Sequence, residues 1–393
     1  MVSTLLLIVI YISFISLGLP DSLLGASWPM MHLSLGFDVS NLGYISFTIC
    51  IGTVISSLLY SKLSSRFRTE KITTVSVMMT ALALFLFAFA ANIYTIFPIA
   101  LLLGLGAGSV DAGLNYYVAL HYKARHMSWL HAFWGLGTTF GPTVLALFFA
   151  QGRTWNDAYL IMAIVQSLIV LMLLLSFPLW KKNEKNSIKR EQPEKKEREI
   201  PAEGKKGVLR LKGAKIVLLS FFLYCAIEST MLNWSASFTV FAKALTESQG
   251  AQIASFIYWG MTIGRLLTGV FNEKTGDRFM ITLGLVISLI GGIMLVFSTS
   301  FTLIALSIFL IGLGFAPVYP SLLHQTPSIF GMDDSQKIMG LEMSSAYIGS
   351  SLTPFTFGLV TRITGSGILP AVLIVFVLFE LLIAFLKRSL YKS

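Results

Sequence analysis

The stretch LLLGLGAGSVDAGLNYYVAL (101–120) places an aspartate in the middle of an otherwise apolar segment. Asn115 follows this residue, Asp111, after four positions. On a helix, residues four apart lie on the same face. An ionised side chain at the centre of a membrane helix costs about 2.5–3.5 kcal/mol on insertion scales, so such residues usually face a partner or a water-filled cavity. Asp111 is therefore a candidate functional residue if this segment spans a membrane.

The composition indicates an integral membrane protein. Of the 393 residues, 55% are hydrophobic and only 12% are charged, whereas about a quarter of a soluble domain is charged. The mean hydropathy is +0.76. The apolar runs are continuous and about 20 residues long, as spanning helices require, and they lack the alternation of barrel strands. The sequence thus predicts an all-α integral membrane fold.

The basic residues are concentrated in one loop. The formal net charge is +10, and 13 of the 29 Lys and Arg residues fall between Lys181 and Lys215, together with six Glu. A single charged loop does not form the basic face that nucleic acid binding needs. It instead marks the cytoplasmic side of a membrane and contact with anionic lipid.

Turn signals and segment lengths predict about twelve spans. Their expected limits are 3–32, 38–61, 72–92, 96–122, 128–150, 156–180, 215–242, 249–271, 278–298, 300–324, 336–361 and 366–387. Even-numbered loops are rich in Lys and Arg and odd-numbered loops are poor in them. We therefore expect a multi-pass protein of the plasma (inner) membrane with both termini in the cytoplasm.

The chain divides into two halves. We predict an N-terminal six-helix bundle over 1–180, a charged cytoplasmic linker over 181–214, and a C-terminal six-helix bundle over 215–393. LLGLGAGSVDAGL (102–114) aligns with LIGLGFAPVYPSL (310–322) at an offset of 208 residues, which places Asp111 opposite Tyr319. Repeated halves of this kind are typical of secondary transporters, whose substrate sites lie near the membrane midplane.

Two charged turns occupy equivalent places in the halves. GVFNEKTGDR (269–278), with Glu273 and Arg278, resembles the loop motif of the major facilitator superfamily. The first-half copy, SKLSSRFRTEK (61–71), is degraded and has Ser65 where the acid should be.

Other stretches are similar to the fucose/glucose/galactose–proton symporters of that superfamily. VDAGLNYYV (110–118) resembles their acid-bearing fourth helix and LHAFWGLGTTFGP (130–142) their fifth. YCAIESTMLNW (224–234) resembles their seventh helix and GRLLTG (264–269) their eighth. The resemblance covers most of the chain. It implies twelve helices in two pseudo-symmetric six-helix bundles, alternating access, and a hexose-type substrate carried with a proton.

Three intramembrane acids are candidates for proton coupling: Asp111, Asp21 and Glu228. A carboxyl group can be charged when water reaches it and neutral when it does not, as coupling requires. For each acid a structural role is the alternative: a hydrogen bond between helices for Asp111, support of the kink after Pro20 for Asp21, and a partner for Arg265 in the case of Glu228.

Several polar and aromatic residues are candidates for substrate binding, because amides hydrogen-bond sugar hydroxyls and indole rings stack on sugar faces. Trp28 is expected to face the same way as Asp21. Asn233 and Trp234 can join the site of Glu228 only if their helix breaks. The full set is Asn115, Trp28, Asn233, Trp234, Trp259, Tyr319 and Trp134.

We expect a structural or gating role for Arg265, His131, Glu273 and Arg278. Arg265 has Glu228 and Asp111 as candidate partners, and His131 lies near a helix start. Glu342 and Glu380 are expected to reach water or a helix terminus near the cytoplasmic ends of their spans.

These patterns predict a secondary active transporter and not an enzyme. The glycines of GLGAG lie within a span and lack the strand–turn–helix context of a dinucleotide site. We expect no cofactor and no metal, H⁺ as the coupling ion with Na⁺ as a variant, a sugar-like small molecule and membrane lipids as partners, no nucleic acid, and a monomer. The alternatives are a proton-coupled drug or metabolite exporter of the same fold and a membrane substrate sensor that does not transport.

Overall fold

The computed structural model describes residues 2–122, 124–188 and 211–387. The chain forms two compact units, 1–196 and 197–393. Their boundary falls within the predicted linker, most of which lies outside the described residues. The first eight linker residues, 181–188, instead continue the preceding helix. Within the described ranges no strand occurs, so the predicted all-α fold is confirmed.

The described part of the first unit contains seven helices. They are α1 (Val2–Asp21), α2 (Leu23–Leu35), α3 (Asn41–Ser64), α4 (Thr69–Ala88), α5 (Ile93–His121), α6 (Ala124–Ala150) and α7 (Trp155–Ile188). Helices α1 and α2 together form one apolar span. Six spans therefore come from seven helices.

In the second unit the residues that the structure describes also form seven α-helices. They are α8 (Ala214–Lys243), α9 (Glu247–Thr275), α10 (Asp277–Phe297), α11 (Phe301–Phe315), α12 (Val318–His324), α13 (Thr326–Thr364) and α14 (Leu369–Leu386), with a short 3₁₀ turn at Ser366–Ile368. Helices α11 and α12 form one span. Gly331, at a φ of 75°, breaks the regular course of α13 near its start.

Ten spans in the described part of the chain are long and apolar enough to cross a membrane. Helices α9 and α13 are as long but richer in Ser, Thr and Gly, and they coincide with the predicted eighth and eleventh spans. Together they complete the twelve-span arrangement.

The same helix pairs pack closely in both units. In the first unit α5 packs on α3 and α4, and α1 packs on α6 and α7. In the second unit α11 packs on α9 and α10, and α8 packs on α13 and α14. The helix caps repeat too, since Asn92 caps α5 through the amide of Thr95, and Ser300 caps α11 through that of Leu303.

Glycines explain the closest of these contacts. A Cβ atom on Gly104 would overlap the carbonyl oxygen of Ile49, and one on Gly312 would overlap that of Ile257. Both members of the second pair lie 208 residues after those of the first, which is the offset of the sequence repeat. Small residues let membrane helices approach backbone to backbone. The repeat in sequence is therefore a repeat in packing.

Candidate functional site

Asp111 and Asn115 form a polar pair on α5. The Nδ2 of Asn115 donates a hydrogen bond of 2.8 Å to Oδ1 of Asp111, and both side chains are half-buried. Four residues separate them, so the helix stacks them on one face as the spacing predicts. The Oδ1 of Asn115 is buried and has no hydrogen-bond partner among the described residues. A buried amide oxygen of this kind is an acceptor still open to a hydroxyl donor.

Asp21 ends α1 and is exposed within its half. The Nε1 of Trp134 on α6 donates a hydrogen bond of 3.0 Å to its Oδ2. Helix α1 can approach α6 because Gly18 lies against the backbone of Trp134. Asp21 also interacts electrostatically with Asp111. Two carboxyl groups, one indole and one amide from three helices thus come together in the first half.

Trp28 does not share the accessible face of Asp21 as expected. Its side chain is fully buried, and its indole N–H donates a hydrogen bond of 2.8 Å to the carbonyl of Val39. Val39 lies beyond the end of α2, eleven residues after Trp28. In this structure Trp28 packs the end of the first span.

Glu228 lies on α8 between two partners. Its Oε1 is 2.8 Å from the hydroxyl of Tyr224, which is also 2.8 Å from the carbonyl oxygen of Phe315. The Nη2 of Arg265 on α9 lies 4.0 Å from the same Oε1. The structural alternative considered for Glu228, an ion pair with Arg265, is therefore present.

Asp21 and Glu228 occupy equivalent positions in the two halves. Gly137 lies against the backbone of Ile15, and Gly349 lies against that of Phe222 in the same way. Counting six residues onward from Ile15 and from Phe222 reaches Asp21 and Glu228. Each acid is then held by an aromatic donor, an indole in the first half and a phenol in the second.

Helix α8 runs unbroken from Ala214 to Lys243, so the break needed for Asn233 and Trp234 to join Glu228 does not occur. The amide of Asn233 donates to the carbonyl of Ser229 at 2.8 Å. Trp234 is fully buried and donates to the carbonyl of Pro354 at 3.2 Å. Both side chains therefore donate hydrogen bonds to backbone carbonyls of the second half.

The remaining candidates, Trp259 and Tyr319 for substrate binding and His131 for a structural or gating role, differ in exposure. Trp259 on α9 is 41% exposed. Tyr319 on α12 is half-buried, and its hydroxyl lies 3.1 Å from the sulfur of Met343. His131 on α6 is exposed and contacts the ring of Phe14 edge-on.

The loop motif of the second half makes a contact that sequence patterns did not indicate. Arg278 is exposed, and the side chain of Glu273 lies outside the described residues. Asp277, between them, pairs with His324 at the end of α12, with Nδ1 and Oδ2 2.7 Å apart.

Of the two expectations for Glu342 and Glu380, contact with water is wrong, because both are buried, with exposures of 0% and 2%. Lys387, just beyond α14, is 2% exposed. Its Nζ donates a hydrogen bond of 2.7 Å to Ser220 on α8, and Ser220 donates to Glu380. Glu380 and Lys387 are seven residues apart, hence on one helix face, which was the available sequence signal.

Comparisons with known proteins agree with this architecture. The family model of the Major Facilitator Superfamily matches residues 10–354 and again 230–390. The glucose/mannose transporter GlcP of Bacillus subtilis (strain 168) is 26% identical over 332 residues, which cover 82% of this chain and 78% of that protein.

Two solved structures have the same fold. A mutant of the nucleoside transporter NupG superposes with a TM-score of 0.77 at 16% identity, over 98% of this chain and 99% of that one. A bacterial homologue of the human lysosomal transporter Spinster gives 0.71 at 13% identity, over 99% and 97%. The chain is therefore a transporter of the Major Facilitator Superfamily, a family whose members are not enzymes.

Proposed function

We propose that the protein takes up a small polar solute, a hexose-type sugar, together with a proton by alternating access. The observation that carries the proposal is the cluster of Asp21, Trp134, Asp111 and Asn115 in the first half. It combines two carboxyl groups that can exchange a proton with an open amide oxygen that can accept a sugar hydroxyl.

The relatives support a hydroxyl-rich solute. GlcP is named a glucose/mannose transporter, and NupG is named a nucleoside transporter. Hexoses and nucleosides both present hydroxyl groups on a sugar ring. The chemistry common to both solutes matches the donors and acceptors beside Asp111.

In the proposed cycle Asp111 takes up a proton on the outer side, and its protonated form favours solute binding. The repulsion between Asp21 and Asp111 falls when either acid is neutral, so one proton stabilises the loaded cluster. In the second half Tyr224 and Arg265 hold Glu228, the acid equivalent to Asp21. Release of solute and then of the proton to the cytoplasm resets the carrier.

The energetics suffice for accumulation. The membrane potential supplies about 2.3 kcal/mol per charge per 100 mV, and about 1.4 kcal/mol corresponds to a tenfold concentration ratio. One proton therefore concentrates a neutral solute by tens of fold.

Uptake into proteoliposomes tests the proposal. Labelled glucose, mannose and a nucleoside are offered under an inward proton gradient to the wild type, Asp111→Asn, and the control Asp157→Asn, which changes an acid at the start of α7. We expect the gradient to drive hexose uptake in the wild type and the control. Asp111→Asn should lose accumulation and keep equilibrium exchange.

Three outcomes would contradict the proposal or part of it. Accumulation driven by a sodium gradient and not by a proton gradient would show that the coupling ion is Na⁺ and not H⁺. Uptake of the nucleoside but not of hexoses would show that the substrate is a nucleoside and not a hexose. Absence of uptake with retained export of apolar cations would favour an exporter of the same fold.

A further inference from the structure

Three charged side chains that are not among the residues of the proposed solute site meet in the second half. Glu342 is on α13, and Glu380 and Lys387 belong to α14 and its end. All three are at most 2% exposed. Their helices both pack on α8.

Hydroxyl groups connect the cluster. Lys387 donates to Ser220, and Ser220 donates to Glu380, which makes a continuous chain from the ammonium group to one carboxylate. Thr326 at the start of α13 donates a hydrogen bond of 2.8 Å to Oε1 of Glu342. Lys387 interacts electrostatically with both acids, and more strongly with Glu380. Lys387 and Glu380 are therefore the two oppositely charged groups that interact most strongly in the cluster, and Ser220 links them.

The cluster has two carboxyl groups and one ammonium group, so Glu342 has no cation of its own within the cluster. With all three groups ionised the cluster would carry one uncompensated negative charge, and a buried charge without a partner is strongly destabilising. The Oε2 atoms of Glu342 and Glu380 are buried and have no hydrogen-bond partner among the described residues. An ionised Glu342 would therefore be both unneutralised and short of donors.

We propose that Glu342, Glu380 and Lys387 form a buried proton-binding site that holds one proton between its two carboxyl groups. Glu342 carries the proton in this conformation because the chain through Ser220 commits Glu380 to Lys387. Among the described residues, Cys225 on α8 is another titratable group near this site, because it interacts electrostatically with Glu380. The site is distinct from Asp21 and Asp111, which belong to the other unit.

The site links proton binding to the packing of α8, α13 and α14. While the helices exclude water, loss of the proton leaves an uncompensated buried charge. When this end of the half opens to water, Glu342 can ionise at little cost. Bound proton therefore favours the closed packing, and its release favours opening.

Infrared spectroscopy of the purified protein counts protonated carboxyl groups through their C=O stretch, identified by its shift in D₂O. The variants are Glu342→Gln, Glu380→Gln and Lys387→Met, with Asp157→Asn as the control. Each Gln variant should have one protonated carboxyl fewer than the wild type, since in Glu380→Gln the remaining Glu342 ionises to pair with Lys387. Lys387→Met should have one more, and Asp157→Asn should be unchanged.

An unchanged count in both Gln variants would show that neither acid is protonated and would overturn the site. An unchanged count in Lys387→Met would show that Lys387 is not a charged partner and would overturn it too. If Lys387→Met does not fold, the two Gln variants decide. Neither a solute nor a gradient is present, so failure here is separate from failure of the proposed transport.

Thermal unfolding gives a second measurement on the same proteins. Raising the pH should destabilise the wild type, because the folded state holds a proton that the unfolded state releases. Glu342→Gln should flatten this dependence, and Asp157→Asn should retain it. Equal pH slopes in the wild type and Glu342→Gln would contradict the site.

Discussion

The indole N–H of Trp134 donates a 3.0 Å hydrogen bond to Oδ2 of Asp21 and so joins the fifth span to the first. Gly18 brings the two backbones close enough for this contact. The bond stabilises the ionised form of an acid that also senses Asp111. Trp134 is therefore placed to influence when Asp21 exchanges a proton without exchanging one itself.

Trp134→Phe removes the donor and keeps an aromatic ring. A hydrogen bond to a charged group contributes about 1.5–3 kcal/mol, so we expect the pH optimum of proton-driven uptake to move to higher pH by about one unit or more. Trp129→Phe makes the same change at an exposed position of the same helix and should leave the optimum in place. An unchanged pH optimum in Trp134→Phe would show that this hydrogen bond does not influence proton coupling.

Asn115 is expected to bind the solute through its open amide oxygen. Asn115→Leu should raise KM about fivefold in both driven uptake and exchange, since one hydrogen bond contributes about 1 kcal/mol. Asn233→Leu is the comparison, because its amide is bonded to the carbonyl of Ser229 on its own helix. We expect it to change KM less. A larger increase in KM for Asn233→Leu than for Asn115→Leu would indicate that the solute contacts Asn233 of the second half instead.

Arg265 should stabilise the second half through Glu228. The two side chains are 22% and 15% exposed, so Arg265→Met leaves a largely buried carboxylate without its cation and should cost about 1–2 kcal/mol. The double variant Glu228→Gln with Arg265→Met should recover most of that loss, as measured by thermal unfolding in detergent. Additive losses in the double variant would mean that the two residues act independently.

Sequence patterns predicted what depends on local spacing. Continuous apolar runs indicated the spans, and the four-residue spacing indicated that Asp111 and Asn115 share a face. They did not predict burial of Glu380, because its partner Ser220 lies 160 residues away on another helix. They did not predict burial of Trp28 either, because its partner Val39 lies beyond the end of α2. Contacts between residues that are distant in sequence determine whether such side chains are buried.

The repeated glycine contacts allow a prediction about stability in both halves. Gly104→Ala would push a methyl group into the backbone of Ile49, and Gly312→Ala would do the same at Ile257. Overpacking of this kind costs about 1–3 kcal/mol, so both variants should unfold at lower temperature in detergent. Gly340→Ala is the matched control, since nothing lies within 4 Å of a Cβ at that position of α13. It should unfold at the wild-type temperature or above, because alanine is the better helix former. If all three variants were equally stable, close backbone packing would not hold either α3 to α5 or α9 to α11, and the sequence repeat would need another explanation.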